Sequence, residues 1–406
     1  MSLTPKDIPV GAVRFNTDSS KMEVYIGSAW EEVSVSSPNL DGGARGLFCG
    51  GWRNTPSTAR SNGIDFITIS TAGDATDFGD LTRRQSYMGA CSSRTRGIIA
   101  GGDDDNSPAA TNAIDFITIS STGNAQDFGD LPLAVKGHHG HSNNTRGVFC
   151  QGSNPSPSFT SKKDITVLSI ASTGSAFDGG DLSRHGVQTF VFGNGIRGIY
   201  GGGYYATPDG SGPSYAGTTG EKHILVNIAT HGEVILFGDF KGDSTSNGII
   251  RSSALSNSTR GVRFSGYTSP YHLTYDRYEI ASLGNAIDFG DVLYNREWPT
   301  CVSSPTRGVA GGGDGGDYAT DREIQYFEIA SGGSALDFGD LTSTRMAGSG
   351  FSSPTRGCFA GGYTPTAVNT IDYIALSTRG DAVDFGDMGY ATPSGIMGLS
   401  NAHGGL

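Results

Sequence analysis

The chain carries few of the features by which disulfide scaffolds, nucleic-acid binders or enzymes declare themselves. Cysteine is sparse, with Cys49, Cys91, Cys150, Cys301 and Cys358 in 406 residues and no CxxC pair. An odd, scattered set supplies neither a disulfide framework nor a zinc site, so no metal is expected. Basic charge is short as well: 28 Lys and Arg stand against 40 Asp and Glu, a net charge of −12. This balance excludes a surface built to neutralise phosphates, so no nucleic acid is an expected partner. No run approaches the ~18 apolar residues of a spanning helix, and no membrane insertion is expected. Residues Met1 to Asp7 lack the charged and apolar regions of a secretion signal, so none is expected. Helical periodicity is missing throughout. So are Gly-x-Ser-x-Gly, HExxH and the P-loop, and no carboxylate pair is singled out for glycoside cleavage. The expectation is a protein that is not an enzyme, with no catalytic residue and no cofactor.

Glycine, by contrast, is abundant. Its 63 copies are about twice the usual share, yet 36% hydrophobic and 10% aromatic residues are enough for a core. The glycines belong to repeats. Arg-Gly recurs at Arg45, Arg96, Arg146, Arg197, Arg260, Arg307 and Arg356, and each copy is followed by Asp-Phe-Gly-Asp or a relic of it. These second motifs end at Asp80, Asp130, Asp181, Asp239, Asp291, Asp340 and Asp387, so seven units fill positions 45 to 406.

Within a unit the period is two. The run before Arg-Gly (Tyr87 to Ser93), the Arg-Gly run (Arg96 to Ala100), the isoleucine-rich run (Ile114 to Ile119) and the Asp-Phe-Gly-Asp run (Asn124 to Asp130) read as strands A, B, C and D. Small residues in strand A suit an innermost position. Four short antiparallel strands per unit predict an all-β fold, a seven-bladed β-propeller. Residues 33–43 lack the strand A pattern, whereas Gly395 to Asn401 carry it. The C-terminal strand is therefore expected to complete the first blade, which leaves no open edge.

The repeated residues read as structural. The terminal Asp of each fourth strand is expected to bond its own backbone in a turn, and each Arg to pack between blades. Cys49 and Cys150 take a small apolar slot. His141 takes a core slot with His139 beside it. The acidic runs Asp103–Asp105 and Asp314 to Asp317 lack calcium-loop spacing and are expected to be solvated loops.

The Gly-Gly that closes strand B resembles the kelch repeat, although the usual kelch Trp is missing and Phe stands near its place. The wording Thr-Arg-Gly, Gly-Gly, Ile-Asp-Tyr/Phe-Ile and Asp-Phe-Gly-Asp resembles repeats of tail-fibre-like structural proteins of bacteriophages, including cyanophages. Separately, Val10-Gly-Ala-Val-Arg-Phe-Asn-Thr17, then Met22 to Gly27 and Ala29-Trp30, is similar to a short module of phage fibre and other virion proteins. The resemblances imply a virion location and a structural role, tail-fibre or tail-associated. Residues 1–36 would then be a β-hairpin that attaches to other virion proteins, 37–44 a linker and 45–406 the propeller. Homo-oligomerisation is left open. The alternatives are a non-viral kelch-type protein-interaction adaptor and, further off, a propeller glycosidase.

What differs between units points to recognition. The A–B turns are uniform, whereas the B–C loops vary, and the fourth, Tyr204 to Lys222, is the longest. Aromatics follow the Gly pair at Trp52, Tyr204, Tyr205, Tyr215, Tyr267 and Tyr363. Their rings suit sugars or protein partners, so these six are the expected ligand-binding residues for a host-surface glycan or protein. In an A-B-C-D meander the B–C loops and D–A links emerge on one face, away from the A–B turns.

Overall fold

The structure is a computed structural model. It describes residues 8–16, 21–32, 45–53, 59–105, 110–150, 152–154, 160–186, 190–203, 205–206, 213–214, 222–228, 234–239, 251–264, 266, 274–315 and 321–401. The chain divides into two compact units, Met1–Leu40 and Asp41–Leu406. No helix occurs among the described residues, and every strand pairing is antiparallel.

The first unit is a three-stranded meander, where the sequence suggested a hairpin. Strands β1 (Val13–Asn16), β2 (Lys21–Tyr25) and β3 (Trp30–Glu32) pair in order, because Trp30 continues past its turn to lie opposite Tyr25. Arg14 fixes one face: it pairs with Glu23 at 2.7 Å and stacks on Trp30 at 4.2 Å. On the other face the cross-strand pair Phe15 and Met22 stays exposed, together with Val13.

Among its described residues the second unit contains seven larger sheets, each with the strand order A-B-C-D, and three two-stranded ribbons. Sheet 2 is representative, with Gly89–Ser92, Arg96–Ala100, Ala113–Thr118 and Gln126–Asp130. Sheets 3 and 7 carry one extra short strand. In sheet 1, strand A is Met397–Ser400, paired along Arg45–Cys49.

Strand B is buried along its whole length after the Arg because both of its faces meet protein. Strands covered on both faces read as continuous apolar runs. In sheet 2, Ile99 faces sheet 1, where it meets Leu47 and Ile64, and Ile98 faces sheet 3, where it meets Phe149. Equivalent clusters lie between sheets 3 and 4, 4 and 5, 5 and 6, 6 and 7, and 7 and 1. Contacts thus run in cyclic order, with the seventh sheet against the first.

The repeated polar residues form joints along the same cycle. The Nη1 of Arg45 donates to the carbonyl of Ile119 in the next sheet at 2.9 Å. Arg96, Arg146, Arg197, Arg260 and Arg307 do likewise to Ile170, Ile228, Ile280, Ile329 and Leu376, and Arg356 returns to Ile69 at 3.0 Å. Each such bond contributes about 1 kcal/mol.

The Asp-Phe-Gly-Asp strand is a second joint, and here the expectation for its terminal Asp is corrected. The first aspartate makes the Asx turn: Asp77, Asp127, Asp178, Asp288 and Asp384 accept from the N–H two residues on. The last residue instead serves the neighbour through its backbone. Asp80 donates its N–H to the Asn124 side chain, while Phe78 and Asp80 accept from Gly123 and Ala125 of the next C–D turn. The motif glycine must be glycine. Gly129 has φ of 140°, and a Cβ there would lie 2.6 Å from the Gly174 backbone.

A third joint caps the D–A links. Asp115 in strand C of sheet 2 accepts from the Thr82 N–H at 2.9 Å and hydroxyl at 2.7 Å. Asp372 does the same for Thr342, Gln325 for Leu293 and Asp65 for Gly389. Burial pushes the carboxyl groups of Asp65 and Asp115 above the ordinary range.

Candidate functional site

The B–C loops and D–A links share one face and bind each other. The glycine pair after strand B makes this contact: Gly50 and Gly51 both have positive φ, and the Gly51 N–H donates to the Gln85 carbonyl in the link. A Cβ on Gly50 would come within 2.7 Å of that oxygen. Gly102, Gly313 and Gly362 donate in the same way to Val135, Arg345 and Thr392. The acidic run Asp103–Asp105 belongs to this packing and is not a solvated loop. Asp103 is buried and pairs with Arg60 at 2.8 Å and Lys136 at 3.0 Å, and Arg60 also holds Asp105. Asp314 is buried too, with its backbone paired to Glu297, while Asp317 lies outside the described residues.

Just before six of the seven A strands, one link residue takes a left-handed backbone. These are Tyr87 (φ 54°), Gly137, Arg251 (57°), Trp298 (50°), Ala347 (56°) and Gly395. Their backbones bond one to the next, Gly137 to Tyr87 and Tyr87 to Gly395, then Ala347 to Trp298 and Trp298 to Arg251. All six line a cavity of about 730 Å³. For a residue other than glycine this backbone costs of order 1 kcal/mol or more. It recurs at four non-glycine positions around one cavity, where the collar of backbone bonds enforces it.

The lining of this space mixes apolar side chains such as Met88, Val191 and Met346 with aromatic and hydroxylic ones. Tyr87, Trp298 and Tyr363 line it with Ser252, Thr300 and Ser394. The Tyr87 hydroxyl meets that of Ser394 at 3.1 Å. Arg251 stacks on Trp298 at 4.2 Å and pairs with Glu297 at 2.6 Å, so the ring is held on one side and its cation is balanced. The Ser252 hydroxyl is buried without a hydrogen-bond partner. No carboxylate is among the described lining residues.

Of the six expected binding residues, Tyr363 lines the cavity. Trp52 borders it through a bond from its N–H to Ser394, but Arg60 covers its ring at 4.7 Å. Tyr204, Tyr215 and Tyr267 lie outside the described residues. For Tyr205 only the backbone is described, in a two-residue pairing with Pro213–Ser214. Tyr87 and Trp298 also line the cavity, and the pattern of aromatics after the Gly pair did not select them because they stand in the links. The signal was the link position itself, where Tyr, Gly, Arg, Trp, Ala and Gly alternate.

The histidines divide differently from expectation. His141 is half-buried, and its Nε2 meets the Asn194 carbonyl at 2.9 Å. The core histidine is His138, 2% exposed, with neither ring nitrogen hydrogen-bonded. Burial, with His139 beside it, pushes its pKa down to about 3. Cys49 and Cys150 are fully buried small hydrophobes, and burial raises the Cys91 thiol to about 12. No group of three metal-ligating side chains occurs among the described residues. Compared with protein-family models and with curated proteins, the chain has no match.

Proposed function

We propose that residues 45–406 are a seven-bladed β-propeller. In this reading each four-stranded sheet is a blade, and the protein is a virion component, tail-fibre or tail-associated. The cyclic order of the joints supports the fold, since seven Arg bonds pass from sheet to sheet and return to Ile69. The virion role rests on the motif wording and on the first unit. Its exposed Val13, Phe15 and Met22 are apolar surface that so small a unit cannot bury alone. Other virion proteins are the partner that would cover it.

The propeller is then a non-catalytic binding head for a host-surface glycan or protein. The observation that carries this is the cavity of the link face, where strained Tyr87 and Trp298 present rings among hydroxyl groups. Aromatic faces stack on sugars, and hydroxyls bond their edges. Mass spectrometry of purified particles should detect the chain, and deletion of residues 1–36 should remove it from them. Particles lacking the intact chain, or retaining the deleted one, would overturn the assignment.

A further inference from the structure

The joint between sheets 2 and 3 departs from four of its counterparts, as does the joint between sheets 3 and 4, where Ile224 takes the strand C position. At four other joints a strand C side chain caps a link N–H, as Asp115 caps Thr82. The register that pairs Ile99 with Asp115 pairs Phe149 with Thr166, and the link residue matching Thr82 is Pro132, which has no N–H. Acceptor and donor are thus both replaced, and a cavity of about 270 Å³ lies between Pro132 and Thr166.

His138 lines this cavity, in the slot just before strand A that Met88, Ser252, Pro299, Gly348 and Ile396 take in other sheets, none with a ring that must be hydrogen-bonded at two atoms. A buried imidazole with two unpartnered nitrogens is costly. Such a break with the local pattern points to function. The neutral ring offers one donor and one acceptor, the complement of a hydroxyl group. Leu131, Val135, Phe149 and Ile165 supply apolar walls. Lys162, Asp164 and Asp178 complete the lining, two carboxylates to one ammonium, so an anion is disfavoured, while the apolar walls make a buried cation costly.

We infer that this cavity binds a small uncharged molecule with an apolar body and one hydroxyl group, a phenol or alcohol, which hydrogen-bonds to His138. His138 lines both this cavity and the larger one of the link face, so the two adjoin at its ring, but the hydroxyl site does not rest on the link-face function.

Phenol is the probe and toluene its match without the hydroxyl, each titrated into the full chain by calorimetry and by ring-nitrogen NMR. Phenol should bind saturably and shift the His138 resonances, with toluene weaker by about tenfold, the size of one neutral hydrogen bond. His138→Met copies the Met88 arrangement; it should weaken phenol binding by a similar factor without lowering the melting temperature. The pair Pro132→Thr and Thr166→Asp restores the cap and should abolish binding even if His138→Met folds poorly. No saturable phenol binding, equal affinity for toluene, or binding unchanged in both variants would overturn the proposal.

Discussion

Glycine in Asp-Phe-Gly-Asp is where two sheets touch with no room for a side chain. Gly129→Ala would add both the strain of φ 140° and a contact at 2.6 Å from backbone that cannot move aside. Gly123→Ala carries only the strain, since nothing lies within 4 Å of its Cβ direction. Gly129→Ala should therefore destabilise by roughly 2–3 kcal/mol more than Gly123→Ala. Denaturant unfolding of both variants measures the difference, and equal losses would mean the sheets do not meet there. His138 gives a pH test. Its folded pKa of about 3 lies below the ordinary 6.5. Between those values the unfolded chain binds a proton that the folded chain refuses, so stability falls as pH drops from 6.5 toward 3. The slope from this group is at most about 1.4 kcal/mol per pH unit. His138→Met should lose less stability than the parent from pH 7 to pH 4; parallel curves would contradict the burial.

The strand order A-B-C-D was legible because each strand keeps its own residue pattern seven times. The place of the last strand was legible too, since Gly395 to Asn401 repeat what residues 33–43 lack. Leu399 is 4% exposed and packs on Leu47 and Cys49 of strand B. Leu399→Ala should cost roughly 2–4 kcal/mol, and removal of residues 395–406 should leave Arg45–Cys49 as an open edge that aggregates. Unchanged melting in both would show that sheet 1 does not need this strand. Of the joints, the Arg contacts between sheets were anticipated in outline, but the other two kinds were not legible. Nothing in an isolated unit says that Asp115 bonds Thr82 of the preceding link, or that Asp77 turns the chain while Asp80 serves its neighbour. Those roles depend on two sheets meeting, which a linear pattern does not encode.

Across the whole of the second unit, the uniform residues are spent on joining sheets, and variation gathers at the links and loops. Tyr363, named from sequence because it follows the Gly pair, lines the link-face cavity. Tyr87 and Trp298 were not named, because their place in the lining comes with a backbone twist that only the collar around the cavity reveals. Glycine already stands at their position in Gly137 and Gly395, so Tyr87→Gly and Trp298→Gly should relieve strain and keep the fold. The decisive measurement is adhesion of the labelled protein to host cells. The account predicts that the double variant Tyr87→Gly, Trp298→Gly loses adhesion by about thirtyfold or more, the equivalent of one aromatic hot spot. Ala changes at Asn144, Ser258 and Pro305, exposed on the opposite A–B turns, should leave adhesion intact. Adhesion retained by the double variant and lost in the turn variants would contradict a binding site on the link face.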